Sequence, residues 1–282
     1  MSSKLETTAS GSRTARRRRT NLQRKRPKLD DRLSRKPSST RVTSQWKSRV
    51  KSRRKSTALA LDRPVVAFDN AGVGRSTGET PDNVAAMARD AVTFLDLLGF
   101  SKVDLLGYSL GGCVAQQIAA EHGSLVRKLI LVGTAPQGGE EHLLAVLEEA
   151  FSHTEAPDPR LPLFFTRSAA SQAAGRAFLD RVYARKEDRD SDNGSAVTDP
   201  QAKALITWCA TPDPGHALLR AIEQPSLVVS GSHDTMLPAG NAYAMFKAMS
   251  NAQLILYPDS GHGALFQHHS LFVSQARAFL DA

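Results

Sequence analysis

The chain has 282 residues, 41% of them hydrophobic, and a formal net charge of +9, which leaves room for one large domain or two small ones. Residues 1–62 hold 20 Lys and Arg against 4 Asp and Glu, whereas the remainder holds 17 against 24, so the positive excess sits in the N-terminal stretch and the body is mildly acidic. That distribution argues against a nucleic-acid-binding body. No stretch approaches the roughly 18 apolar residues of a membrane span, and two cysteines about a hundred positions apart, Cys113 and Cys209, form neither a disulfide framework nor a metal-ligand pattern.

Residues 1–56 are rich in Ser, Arg, Lys and Thr, carry the run Arg16-Arg17-Arg18-Arg19, and show no apolar periodicity. Such a segment buries too little apolar surface to offset the entropy of ordering it, so a disordered basic tail is expected. It fits a nuclear-localisation or nucleic-acid patch and fits a solvated tail without function equally well. It holds no apolar run of the 7–15 residues that a secretory signal needs, and a soluble, cytoplasmic protein with two buried, reduced thiols is the expectation, with a nuclear location open to it if the tail is genuine.

From residue 63 the pattern changes. Pro64-Val65-Val66-Ala67-Phe68 reads as a buried strand running into an Asp-Asn-Ala-Gly turn. Thr80 offers an N-cap and Pro81 a first helical position for an amphipathic helix that Gly99 ends. Strand 103–106, helix 110–121 and strand 129–132 follow, an alternation that implies right-handed βαβ units and a parallel sheet. Between about 137 and 222 the alternation stops: the segments 141–152, 169–186 and 200–210 are helix-like with no strand between them, which predicts an inserted helical cap. Strand 227–230, a helix near 238–249, strand 253–257 and a helix from about 270 to 280 complete the chain. The expected organisation is a tail over 1–56, an α/β core over 57–136 and 223–282, and a cap over 137–222.

Gly107-Tyr108-Ser109-Leu110-Gly111-Gly112 matches the G-x-S-x-G nucleophile elbow and lies between a predicted strand and a predicted helix, the setting that motif needs. The expected turn is so tight that a Cβ at Gly107 or Gly111 would clash. It would present the Ser109 hydroxyl above the sheet, with the helix N-terminus and the Leu110 N–H near developing negative charge. A serine hydroxyl needs a base to take its proton. His262, between Gly261 and Gly263 just past the last strand, is placed for that and is expected to be exposed and mobile. His122, His142, His153 and His216 lie in or beside helices without a motif, and His268 and His269 read as solvated residues at the start of the last helix. Asp234, after the preceding strand, is the orienting acid, with His233 pointing elsewhere. Glu140 or Glu141 is a competing acid, and a plain helix cap is the other reading of Asp234. An elbow kept only for its turn and an ordinary loop histidine remain the structural alternatives to the catalytic reading.

With these residues the chain resembles the α/β-hydrolase family in the order Ser…Asp…His. Val66 through Ser76 is similar to the strand and loop preceding the elbow in its esterase, enol-lactonase and cofactor-free haloperoxidase-like members. The resemblance covers about 63–282. It implies an eight-stranded, mostly parallel sheet flanked by helices and a serine hydrolase with a Ser109–Asp234–His262 triad and a Leu110 oxyanion donor. No cofactor and no metal are implied. The implied substrate is a small-to-medium ester or lactone, with no membrane partner and only non-specific nucleic-acid binding through the tail. A serine nucleophile disfavours the epoxide hydrolase and haloalkane dehalogenase branches.

Members of that family begin with about three more strands, the last ending in a His-Gly loop that supplies a second oxyanion N–H. Residues 1–62 contain no histidine and one glycine, Gly11, so those strands are expected to be missing. A genuine basic tail and a segment read from a displaced frame both fit this departure. The alternative function is a catalytically impaired or non-catalytic hydrolase-like protein.

Overall fold

The computed structural model describes residues 58–139, 158–187 and 193–282, together with Leu143, Val146 and Glu148. The basic tail, the competing acids Glu140 and Glu141, and His142 and His153 lie outside the described residues, as does most of the expected helix 141–152.

Four strands form one parallel sheet in the order β1 (Val103–Tyr108), β2 (Val126–Val132), β3 (Ser226–Gly231) and β4 (Ala252–Tyr257). Alternation of side chains puts Leu129, Leu131 and Val228 on one face. There they pack with Phe94 of helix α1 (Val84–Leu97), Ile118 of α2 (Leu110–Glu121) and Met245 of α7 (Ala239–Ala248). Ile130, Val132, Leu227 and Val229 face the other side and meet Phe272 and Phe279 of α9 (His269–Asp281). The continuous apolar runs of β2 and β3 are thus covered on both faces, as a parallel sheet requires.

Between β2 and β3 the chain inserts α3 (Arg160–Phe164), α4 (Ala169–Ala184), α5 (Ser195–Ala210) and α6 (Ala217–Arg220). Leu163 of α3 and Leu205, Trp208 and Cys209 of α5 join one apolar cluster with Cys113, Met236 and Leu237. The inserted helices therefore pack against the first turn of α2 and the loop after β3. A short helix α8 (Ala264–Gln267) precedes α9. No helix of the described residues is long and apolar enough to cross a membrane.

Two expectations change. Pro64–Phe68 is not a strand: it runs without a ladder, with Val66 and Phe68 packed on the core and the Phe68 ring 4.5 Å from Phe94. A strand exists only when a neighbour accepts its hydrogen bonds, and among the described residues β1 pairs with β2 alone. The implied eight-stranded sheet is a four-stranded one over these residues. The helix cap also moves, since the Asn83 side chain accepts from Ala86 N at 2.8 Å and α1 starts at Val84, not after Thr80.

Candidate active site

In a parallel sheet the loops after each strand emerge at one edge. Ser109 follows β1, Gly133 follows β2, Asp234 lies three residues past β3, and His262 lies five past β4. The fold thus brings the three singled-out side chains to the same end of the sheet.

Ser109 has φ 54° and ψ −126°, a conformation that an L side chain rarely adopts and that marks stored backbone strain. The cause is the tightness of the turn. A Cβ built on Gly107 would lie 2.3 Å from the Gly111 carbonyl oxygen, so the strand end and the helix start touch backbone to backbone. The expectation for Gly111 itself was wrong, because a Cβ there would meet nothing within 4 Å. The third glycine is the constrained one: at Gly112 a Cβ would sit 2.5 Å from the Thr134 side chain. Leu110 opens the twelve-residue α2, and among the described residues its N–H has no hydrogen-bond partner. It is one of the orphan donors at a helix N-terminus, where the dipole favours negative charge.

Asp234 and His262 meet directly. His262 Nδ1 lies 2.8 Å from Asp234 Oδ2, with side chains 1% and 0% exposed. The other oxygen, Oδ1, accepts the N–H groups of Met236 and Leu237, each at 2.9 Å. These two backbone bonds fix the carboxylate plane, and the carboxylate in turn orders Nδ1 as the protonated nitrogen and leaves Nε2 as the basic lone pair. Among the described residues neither Nε2 nor the Ser109 hydroxyl carries a hydrogen bond.

His262 is buried, which corrects the exposed imidazole expected from its flanking glycines. The glycines serve close packing: a Cβ on Gly263 would lie 2.6 Å from Phe164 Cβ, and one on Gly261 3.0 Å from the Leu163 and Phe164 carbonyl oxygens. The His262 and Gly263 N–H groups donate to those same carbonyls, of Leu163 at 3.3 Å and of Phe164 at 3.0 Å. The inserted helix α3 therefore lies against the loop and covers the ring. The imidazole is further bracketed by Tyr108, at 5.0 Å between ring centroids, and Phe164, at 5.5 Å and edge-on. Tyr108 OH donates to the His262 carbonyl at 3.1 Å, tying the residue before Ser109 to the histidine loop. Burial, reinforced by the Asp234 charge, holds the Tyr108 phenol well above its ordinary pKa, so it stays a neutral donor.

The remaining candidates lie elsewhere. His233 is exposed and its Nδ1 faces the Ser232 hydroxyl at 2.7 Å. His268 is not simply solvated: its ring stacks on Tyr257 at 4.9 Å and its Nε2 reaches the Pro258 carbonyl. Cys113, one turn past Ser109, is fully buried, and desolvation pushes its thiol up to about 12, so it is no competing nucleophile. Among the described residues no cluster of three or more His, Cys, Asp or Glu could hold a metal. Tyr108, Phe164 and Asp259, which all act on the His262 loop, were not singled out from sequence. The aromatic doublet Phe164-Phe165 in the insertion was the one visible signal.

A family model described as the alpha/beta hydrolase fold matches residues 52–269. A poly(3-hydroxyalkanoate) depolymerase from Ectopseudomonas oleovorans is 28% identical over 211 residues, covering 73% of this chain and 70% of that protein. A 2-hydroxymuconate semialdehyde hydrolase from Pseudomonas putida is 29% identical over 224 residues, 77% of each. Among solved structures, an alpha/beta hydrolase fold protein from Chitinophaga pinensis has a TM-score of 0.75 at 40% identity, over 79% of this chain and 81% of that one. The enol-lactonase from Burkholderia xenovorans LB400 shares the fold at a TM-score of 0.59 and 21% identity, over 76% and 79%.

Proposed function

The chain belongs to the alpha/beta hydrolase fold family, and we propose that it is a serine hydrolase cleaving a carboxylic ester or lactone with a small-to-medium acyl group. The observation that carries this reading is the buried His262–Asp234 bond at 2.8 Å, at the same end of the sheet as a serine held at a positive φ. Ser109 Oγ attacks the carbonyl carbon as His262 Nε2 takes its proton, and Leu110 N–H faces the oxyanion. The imidazolium formed is stabilised by Asp234 and returns the proton to the leaving alkoxide. Water, activated by the same nitrogen, then releases the acid and frees Ser109. Nucleophile, base and orienting acid are all side chains, so no cofactor enters.

Further features fit the reading. The depolymerase relative is named for a substrate built on ester linkages. The inserted helices serve as the cap, and Phe164 supplies an apolar wall beside the base. Two buried thiols suit a cytoplasmic setting, and the mildly acidic body leaves nucleic acid no more than the tail. One observation favours the second reading, a catalytically impaired hydrolase: among the described residues β1 pairs with β2 alone, so the sheet shows no further strand on that side whose following loop would bring a second oxyanion donor, and losing one such donor costs about 10²–10³-fold in rate.

Hydrolysis of a short-chain p-nitrophenyl ester tests the proposal. Turnover is expected to fall about 10³-fold or more in Ser109→Ala and His262→Ala, and by a comparable factor in Asp234→Asn, which misplaces the tautomer. Equal rates in wild type and Ser109→Ala would refute it. Turnover that is slow in wild type yet still abolished by Ser109→Ala would favour the impaired reading.

A further inference from the structure

The loop that carries His262 is gripped at its other end by a charged residue to which neither the fold nor the mechanism above gives a role. Asp259 sits three residues before the histidine at φ 47°, in the left-handed region that side chains other than Asn and Asp seldom occupy. Its carboxylate accepts two short hydrogen bonds from the inserted segment: Thr166 Oγ1 donates to Oδ1 and Ser168 Oγ to Oδ2, each at 2.5 Å. Charge-assisted bonds of this length are among the stronger ones a protein makes.

The surrounding groups close this grip into a network. Ser168 N-caps α4 by accepting from Ser171 N. Ser171 Oγ accepts from Thr166 N at 2.8 Å and donates to Gln267 Oε1 at 2.7 Å. Gln267 Nε2 returns to the Asp259 carbonyl at 2.7 Å, and Gln172 Nε2 donates to the Thr166 carbonyl at 2.7 Å. The segment 163–172 thus holds the loop 259–267 by side chains at both of its ends and by the Leu163 and Phe164 carbonyls in its middle, at His262 and Gly263.

We propose that Asp259 is a positioning residue of the active site: by clasping Thr166 and Ser168 it docks the inserted helices on the histidine loop and holds His262 in line with Asp234. The proposal rests on the reading of His262 as the catalytic base. Asp259 touches no reacting atom, and its effect passes through the backbone between 259 and 262. A brace of this kind matters because small displacements of a catalytic group cost rate out of proportion to their size.

The test pairs a readout that needs no substrate with one that does. In proton NMR of the full chain, the His262 Nδ1 proton, bonded to Asp234, gives a far-downfield resonance. In Asp259→Ala that resonance is expected to broaden or vanish while circular dichroism stays unchanged. The kcat for a p-nitrophenyl ester is expected to fall by roughly 10- to 100-fold with KM changed far less. Thr166→Val, which removes one donor and leaves the carboxylate, is expected to shift both readouts the same way by a smaller factor. The double variant is expected to be no worse than Asp259→Ala, because both changes break one connection. An unchanged resonance and kcat in Asp259→Ala, or losses that multiply in full in the double variant, would overturn the proposal. Should wild type show the resonance but no ester turnover, the hydrolase reading fails and the NMR comparison still decides the role of Asp259.

Discussion

A serine at φ 54° can exist only if its neighbours leave room, and the three glycines around Ser109 divide that work unequally. Gly107→Ala drives a Cβ into the Gly111 carbonyl and is expected to destabilise by at least about 1–3 kcal/mol in urea unfolding, as overpacking does. Gly111→Ala meets open space and, in the first turn of α2, is expected to be neutral or to gain up to about 1 kcal/mol from helix propensity. The reverse order of stabilities would refute this account of the turn. One turn on, Cys113 is expected to resist alkylation by iodoacetamide in the native state at pH 8, its thiol being held at about 12; rapid labelling of folded protein would contradict that. Ser109, Asp234 and His262 were legible because each stands at a strand-to-loop junction, a local pattern. The burial of His262 was not, because what covers it comes from Leu163 and Phe164, about a hundred residues earlier. The same holds for Asp259, whose partner Thr166 lies 93 positions away.

At the scale of elements, α3 is only five residues long, too short to be helical on its own propensity, so side chains must hold it. Asp158 does so, accepting from Arg160 N at 2.9 Å and Nε at 2.8 Å, and from Tyr183 OH of α4 at 2.7 Å. The Arg160 guanidinium beside it, helped by Tyr183, holds the Asp158 carboxyl well below the usual carboxylate range. A lowered folded pKa means that this contribution is complete above the ordinary carboxylate value and is lost as pH falls through the lowered one. Asp158→Asn is therefore expected to lower thermal stability near neutral pH by roughly 1–2 kcal/mol, after allowing for the part-exposed Arg160. The gap to wild type is expected to narrow steadily as pH falls below about 4. A gap that stays constant down to pH 2 would show that the ionised carboxylate is not what secures α3. Helices and central strands were readable from periodicity because their signals are internal to each segment. Pro64–Phe68 was misread for the opposite reason: its composition is that of a strand, but strandedness depends on a neighbour.

At the scale of the whole molecule, the sheet has two free edges among the described residues, β1 and β4, where Leu106 and Leu256 are 44% and 45% exposed. An apolar residue on an open edge invites pairing between copies. Leu106→Lys is expected to reduce concentration-dependent light scattering while leaving circular dichroism unchanged, and equal scattering would show that this edge is not where copies meet. The central claim is that this fold activates Ser109 through His262 and Asp234. A fluorophosphonate tests it most directly, because phosphonylation with loss of fluoride depends on that activation and not on the unknown substrate. The account predicts one adduct per chain, located on Ser109 by peptide mass spectrometry, and none in His262→Ala. Folded wild-type protein that stays unlabelled, or carries its adduct on another residue, would contradict it.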